Sequence, residues 1–220
     1  MPLEKQVNYP ATNTYSTLNN YTEKTRNIWL VCHGIGYLSS YFINYFDHLD
    51  PETNYIIAPQ APAKYYQDKS YKYIGASWFT RRDLEQETQN VIKYLNAVYS
   101  AEIEPKRNEN TKLLLFGYSQ GVSAITRWAA ASKIDCASLL LHSGGLPDEL
   151  KAADFKNSQA QRVVLTYGDE DEYLTEKRME KEMLKYNAIW GKQLKTEQFR
   201  GKHEVNRAFI YSESLIYKTL

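Results

Sequence analysis

Short apolar runs alternate with helical stretches along most of the chain. Ile28–Cys32, Tyr55–Ala58, Leu113–Phe116, Ala137–Leu141 and Val163–Tyr167 lack strict apolar–polar alternation. Successive side chains of a strand point to opposite faces, so such runs predict strands covered on both sides. Lys195–Phe199 reads as a further strand near the end. Between these runs the period changes. Leu84, Thr88, Val91, Leu95 and Val98 recur at steps of four and three, which predicts an amphipathic helix over Arg82–Tyr99. Thr80 and Asp83 suit a capping box before it. A helical pattern covers Val122–Ala131, and Met179, Met183, Tyr186 and Trp190 share one face of a helix over Tyr173–Trp190. Asn206 is placed to cap a last helix reaching Leu220.

Strand–helix alternation of this kind predicts a mostly parallel sheet with helices on both faces. Asn19-Asn20 predicts a turn after an early antiparallel strand. Pro59–Ser77 is the longest stretch without a regular pattern, and a connection of that size is expected to be a functional loop. The connection from Leu141 to Val163 is too short for a separate lid domain. The expectation is one α/β domain over residues 1–220.

The chemistry centres on Gly117-Tyr118-Ser119-Gln120-Gly121. This G-x-S-x-G pattern falls between a strand and a helix, the context that turns a common pentapeptide into a nucleophile elbow. Two later loops supply partners in the order acid, then histidine. Val163–Tyr167 runs into Gly168-Asp169-Glu170-Asp171, and Lys195–Phe199 runs into Arg200-Gly201-Lys202-His203. Parallel strands put their carboxyl ends on one edge, so all three loops should open together. His203 is then the natural base for Ser119. His142 is the rival base, and the turn-like Ser143-Gly144-Gly145-Leu146-Pro147 after it favours a structural role. Of Asp169 and Asp171, one should satisfy loop amides while the other faces the histidine, and the residues alone barely separate them. The oxyanion donors should be the Gln120 amide and an amide of the glycine-rich His33-Gly34-Ile35-Gly36.

Composition narrows the alternatives. Hydrophobic residues are 43% and charged residues 24% of 220, as in a soluble globular protein. Lys and Arg number 27 against 26 acidic residues, so no one-sign field favours nucleic acid or an anionic membrane. No apolar run is long enough for a membrane span. Met1–Asn20 lacks an apolar signal core, which suggests a cytoplasmic protein. Cys32 and Cys136 end apolar runs and read as small core hydrophobes. The histidines are scattered and no C-x-x-C occurs, so neither metal nor cofactor is expected. A homodimer is compatible with this composition.

Taken together, the chain resembles an α/β-hydrolase of the carboxylesterase/phospholipase family that includes acyl-protein thioesterases. The likeness rests on His33-Gly34-Ile35-Gly36, Ala58-Pro59-Gln60-Ala61-Pro62, Ser77-Trp78-Phe79 and Gly117–Gly121, and spans about residues 26–210. It implies Ser119, Asp171 and His203 as a triad, with Asp171 preferred as the second acid of a G-D-x-D pattern. It also implies the Ile35 and Gln120 amides as the oxyanion hole. Tyr37-Leu38-Ser39-Ser40 departs from the polar or acidic residue usual after the oxyanion loop, and Lys64–Ile74 is unusually rich in tyrosine. Rings of Tyr37, Trp78 and Phe79, joined by Tyr65, Tyr66, Tyr71 and Tyr73, are expected to form a substrate-binding mouth for a small-molecule ester. The rival readings are a peptidase on the same fold and a non-catalytic binding protein.

Overall fold

The computed structural model describes residues 2–156 and 160–217. Its main sheet has seven strands: β1 (Tyr15–Leu18), β2 (Asn27–Cys32), β3 (Asn54–Pro59), β6 (Lys112–Tyr118), β7 (Cys136–His142), β8 (Ala160–Gly168) and β9 (Leu194–Phe199). Their order is β1-β3-β2-β6-β7-β8-β9, and all neighbours are parallel except β1 with β3. Every residue of β2, β3 and β7 is buried, as their unbroken apolar runs require. β9 closes one edge and is mostly exposed, which accounts for its polar composition.

Helices cover the two faces unequally. Val91, Leu95 and Val98 of α2 (Leu84–Glu102), Ile125 and Trp128 of α3 (Gln120–Ser132), and Met179, Tyr186 and Trp190 of α4 (Glu176–Trp190) share a core with Ile28, Leu30, Leu113 and Leu115. On the other face, Phe42 of α1 (Ser39–Phe42) and Phe209 and Ile210 of α5 (Arg207–Leu215) pack on Trp29, Val31, Leu114 and Phe116. Asn206 caps α5 as expected, accepting from the Phe209 amide at 3.0 Å. Residues 218–220 of the helix expected to reach Leu220 lie outside the described residues. Cys32 and Cys136 are free, buried thiols.

Two expectations change. Pro59–Ser77 is not structureless: β4 (Ala63–Tyr66) and β5 (Ile74–Ser77) pair antiparallel as a separate ribbon. Its exposed tyrosines hid the strand pattern, because neither face of β4 is buried. The start of α2 carries no side-chain cap. Asp83 adopts φ 51°, and Thr80 Oγ1 bonds within its own turn to Arg82 instead. The expected early antiparallel strand β1 forms beside β3, with Asn19 at φ 68° just after it.

Two buried histidines tie down the loops at the carboxyl edge. His33 follows β2, donates from Nδ1 to Gly34 O at 2.8 Å, and accepts the Ala61 amide at Nε2 at 3.1 Å. His142 ends β7 and accepts the Asn206 amide at Nε2 at 2.9 Å, with Nδ1 3.0 Å from Ser143 Oγ. Burial depresses the His33 pKa to about 4. Burial, then the neighbouring His203, depresses that of His142 to about 3. Each ring therefore stays neutral in the fold and takes up a proton on unfolding, so its stabilising share is full above pH ~6.5 and is lost as pH falls toward its folded pKa. At pH 5 the loss is about 2 kcal/mol per histidine. His142→Gln keeps an acceptor for the Asn206 amide but cannot titrate. Urea unfolding at pH 7.5 and pH 5.0 should show a smaller acid-induced loss in this variant than in the wild type, by about that amount. An equal loss in both proteins would contradict the assignment.

Candidate active site

The turn from β6 into α3 is sharp enough to need glycine on both sides. A Cβ on Gly121 would lie 2.0 Å from the Cys32 carbonyl oxygen, and one on Gly117 would lie 2.6 Å from the Gly121 carbonyl oxygen. Ser119 between them has φ 52° and ψ −117°, a conformation that side chains other than glycine seldom adopt. Its amide donates to the His142 carbonyl at 2.8 Å, which ties the strained residue to the next strand.

Three predicted side chains meet at this turn. His203 Nε2 is 2.9 Å from Ser119 Oγ, and His203 Nδ1 is 2.8 Å from Asp171 Oδ2. Asp171 is fully buried at its side chain, and its other oxygen accepts the Tyr173 and Leu174 amides, each at 2.9 Å. Asp169 points elsewhere and accepts the Gly201 amide at 2.9 Å. That contact pins the base-bearing loop to the acid-bearing loop, reinforced by the Glu170 amide donating to Gly201 O at 2.9 Å. The open choice between the two acids thus becomes a geometric one: Asp171 touches the imidazole and Asp169 touches backbone.

The glycine-rich loop after β2 lies against the serine. A Cβ on Gly34 would meet Ser119 Cβ at 3.2 Å and the Tyr118 ring at 3.0 Å. The amide of Gly36 (φ 87°) bonds to Ala76 O at 2.9 Å, and Gln67 Nε2 donates to Gly36 O at 2.6 Å, so the β4–β5 ribbon braces the loop. Gln120 is the first residue of α3, where backbone amides have no intrahelical acceptor. Its side chain turns toward the ribbon: Oε1 accepts the Trp78 amide at 2.9 Å, and Nε2 donates to Phe79 O at 2.9 Å.

A cleft of about 590 Å³ opens over Ser119 and His203. Ile35, Gln120 and Tyr37 line it. Trp78 and Phe79 do not. Trp78 is fully buried beneath the glycine-rich loop, with its indole N–H donating to His33 O at 2.8 Å. Phe79 is buried with the Arg127 guanidinium 4.9 Å from its ring centre. Tyr65, Tyr66, Tyr71 and Tyr73 are exposed on the ribbon, outside the cleft. The strand pairing of β5 turns Trp78 inward to the core, so the expected aromatic mouth is built differently. Its far wall comes from Glu172, Tyr173, Leu174 and Arg178, on the loop after Asp171 and the first turn of α4. Glu172, Tyr173 and Leu174 directly follow the candidate acid, where the resemblance places the acyl pocket, whereas Arg178 was missed and had no signal in the sequence.

Among the described residues, no group of three or more His, Cys, Asp or Glu side chains could hold a metal ion. No helix among them is long and apolar enough to cross a membrane.

The fold has wide structural likeness. Acyl-protein thioesterase 2 from Zea mays superposes with a TM-score of 0.66 at 15% identity, over 93% of this chain and 97% of that one. TT1662 from Thermus thermophilus gives 0.67 at 13% identity, over 94% of each chain. A carboxylesterase from Bacillus cereus gives 0.61 at 14% identity, also over 94% of each. No curated protein sequence matches the chain. The phospholipase/carboxylesterase family model matches residues 13–214, nearly the whole length. With the mostly parallel sheet and the absence of a large lid among the described residues, this places the chain in the phospholipase/carboxylesterase family of α/β-hydrolases.

Proposed function

We propose that the protein is a serine esterase that cleaves carboxylic esters of short to medium acyl chains, with the chemically similar thioesters as a second class. The observation that carries the reading is the continuous hydrogen-bonded line from Asp171 through His203 to Ser119 at a strained elbow. Ser119 attacks the acyl carbonyl while His203 Nε2 takes its proton. Asp171 holds the Nδ1–H and stabilises the imidazolium. The Ile35 and Gln120 amides receive the oxyanion. The alcohol leaves with the proton returned by His203, and water then releases the acyl group by the same steps.

The acyl preference follows from the walls. Burying a methylene stabilises by about 0.8 kcal/mol only where apolar surface covers it. Ile35 and Leu174 offer such surface, but Glu172, Arg178 and Ser123 interrupt it. A long alkyl chain would leave charged groups desolvated. A small-molecule ester fits this cleft better than a lipid tail. A single domain working in the cytoplasm is the setting we assign to it.

Three outcomes test this reading. Ser119→Ala should abolish hydrolysis of p-nitrophenyl esters while far-UV circular dichroism stays unchanged, and a fluorophosphonate probe should label the wild type at Ser119. Labelling of a different serine would refute the nucleophile.

Asp171→Asn should slow acylation by orders of magnitude, since the equivalent loss in a well-studied protease costs about 10⁴-fold. Asp169→Asn keeps a side-chain oxygen to accept the Gly201 amide and touches no reacting group, so it should cost far less. Stopped-flow acylation rates would expose a reversed ranking, and with it a wrong choice of acid.

Across a p-nitrophenyl ester series, kcat/KM should peak between about two and eight acyl carbons. A preference for palmitoyl over butyryl esters, or a rate jump above the micellar threshold, would point to a lipase.

A further inference from the structure

Tyr118 is the residue before the candidate nucleophile, and its side chain crosses from the elbow to the loop that bears the candidate base. Its hydroxyl donates to the His203 carbonyl at 2.8 Å. Its ring lies 5.3 Å from the His203 imidazole at an interplanar angle of 35°. The same ring stacks on Phe42 at 6.1 Å, meets Tyr37 edge-on at 6.0 Å, and backs Gly34 of the glycine-rich loop. The residue is 3% exposed, and burial pushes its pKa up, so the hydroxyl remains a donor.

Other short contacts of this loop are its own Glu204 amide to Lys202 O turn at 2.9 Å and, three residues past the base, the Asn206 amide to His142 Nε2 at 2.9 Å. The His203 amide reaches Glu172 Oε2 at 3.3 Å, and the Lys202 amide reaches Glu204 Oε1 at 3.3 Å, both on the exposed side. These are long for hydrogen bonds. The short contacts of the Gly201 amide with Asp169 and the Glu170 amide with Gly201 lie two residues upstream of the base. At His203 itself, the short backbone contact is the one to Tyr118.

We infer that Tyr118 is a positioning residue: its hydroxyl fixes the His203 backbone relative to Ser119, one residue away in the chain, and so sets the distance between nucleophile and base. The reasoning is geometric. Ser119 and His203 are 84 residues apart, and without this bond their separation would rest on contacts two or more residues from the base, those of the Gly201 amide with Asp169 and of the Asn206 amide with His142. Misplacing a reacting group by about 1 Å can cost about 10²-fold in rate.

The kinetic part of the inference rests on the esterase reading, so a substrate-free measurement accompanies it. Tyr118→Phe keeps the ring and removes only the hydroxyl. Proton NMR of the free protein should show a downfield His203 Nδ1 proton bonded to Asp171, identified by its loss in Asp171→Asn. In Tyr118→Phe that resonance should broaden or vanish, while the melting temperature stays close to wild type. For p-nitrophenyl butyrate, kcat should fall about tenfold or more with KM within about twofold, and fluorophosphonate labelling should slow in step. A sharp, unmoved resonance would overturn the inference whether or not any ester is hydrolysed. So would wild-type kcat in the variant. An unfolded or strongly destabilised variant would mean that the hydroxyl serves the fold as a whole, and would overturn it too. Wild-type protein that shows the resonance but hydrolyses no ester would defeat the esterase reading and leave the test of Tyr118 intact.

Discussion

The close crossing of β2, β6 and α3 is the constraint on which the site depends. The helix starts so near the end of β2 that Gly121 has no room for a Cβ beside the Cys32 carbonyl. That approach forces Ser119 into a left-handed conformation, which costs of order 1–3 kcal/mol for a residue with a side chain. The surrounding structure holds it there through the Ser119 amide bond to His142 and through Gly144, whose Cβ would collide with the Ser119 carbonyl. The strain projects the hydroxyl from the sheet edge, where His203 meets it. A relaxed serine in an ordinary strand–helix turn would have no such exposure.

Around this point the structure uses histidine in two opposite ways. His33 and His142 are buried and neutral, His33 bonded to backbone at both nitrogens and His142 to the Asn206 amide and the Ser143 hydroxyl, and their low pKa values follow chiefly from that burial. His203 keeps part of its ring at the cleft and spends both nitrogens on side chains. The same contrast separates the acids. Asp169 accepts a backbone amide between loops, while Asp171 is buried and accepts two amides with the oxygen that does not face the imidazole. Those two amides, together with the bond to His203, leave its carboxylate with a defined direction.

The sheet and the three convergent loops were legible in the sequence for a clear reason. Strand segments buried on both faces must be apolar, and the central runs of β2, β3, β6, β7 and β8 carry that mark. G-x-S-x-G gains meaning from the strand before it and the helix after it. Given a parallel sheet, the loops of Asp171 and His203 follow at the same edge. What could not be read was the exposed ribbon of β4 and β5. Its strands bury little, so the alternation that betrays a half-buried strand is missing, and tyrosines scattered along it read as a mouth. Trp78 shows the same limit from the other side. Tryptophan fits a cleft wall or a core equally well, and here, just after Ser77 pairs with Ala63, its amide donates to Gln120 and its indole turns down to donate to His33 O.

The reacting atoms and the cleft walls answer to different constraints, and this is why the first were readable and the second only in part. Ser119, His203 and Asp171 are brought together by strand order and by loops that leave parallel strands at fixed positions. Each of those facts has a signature in the pattern of apolar runs. Glu172, Tyr173 and Arg178 reach the cleft because the loop after Asp171 turns back over the imidazole before α4 begins. Arg178 fixes that return by donating to the Tyr173 carbonyl at 2.9 Å, and the Tyr173 ring then lies 4.7 Å from the His203 ring. A loop closed by single contacts between side chain and backbone, those of Arg178 and of Asp171, leaves no periodic trace in the sequence. The part of the chain that shapes the substrate wall is thus written in single contacts, whereas the part that positions the chemistry is written in the repeat of the fold.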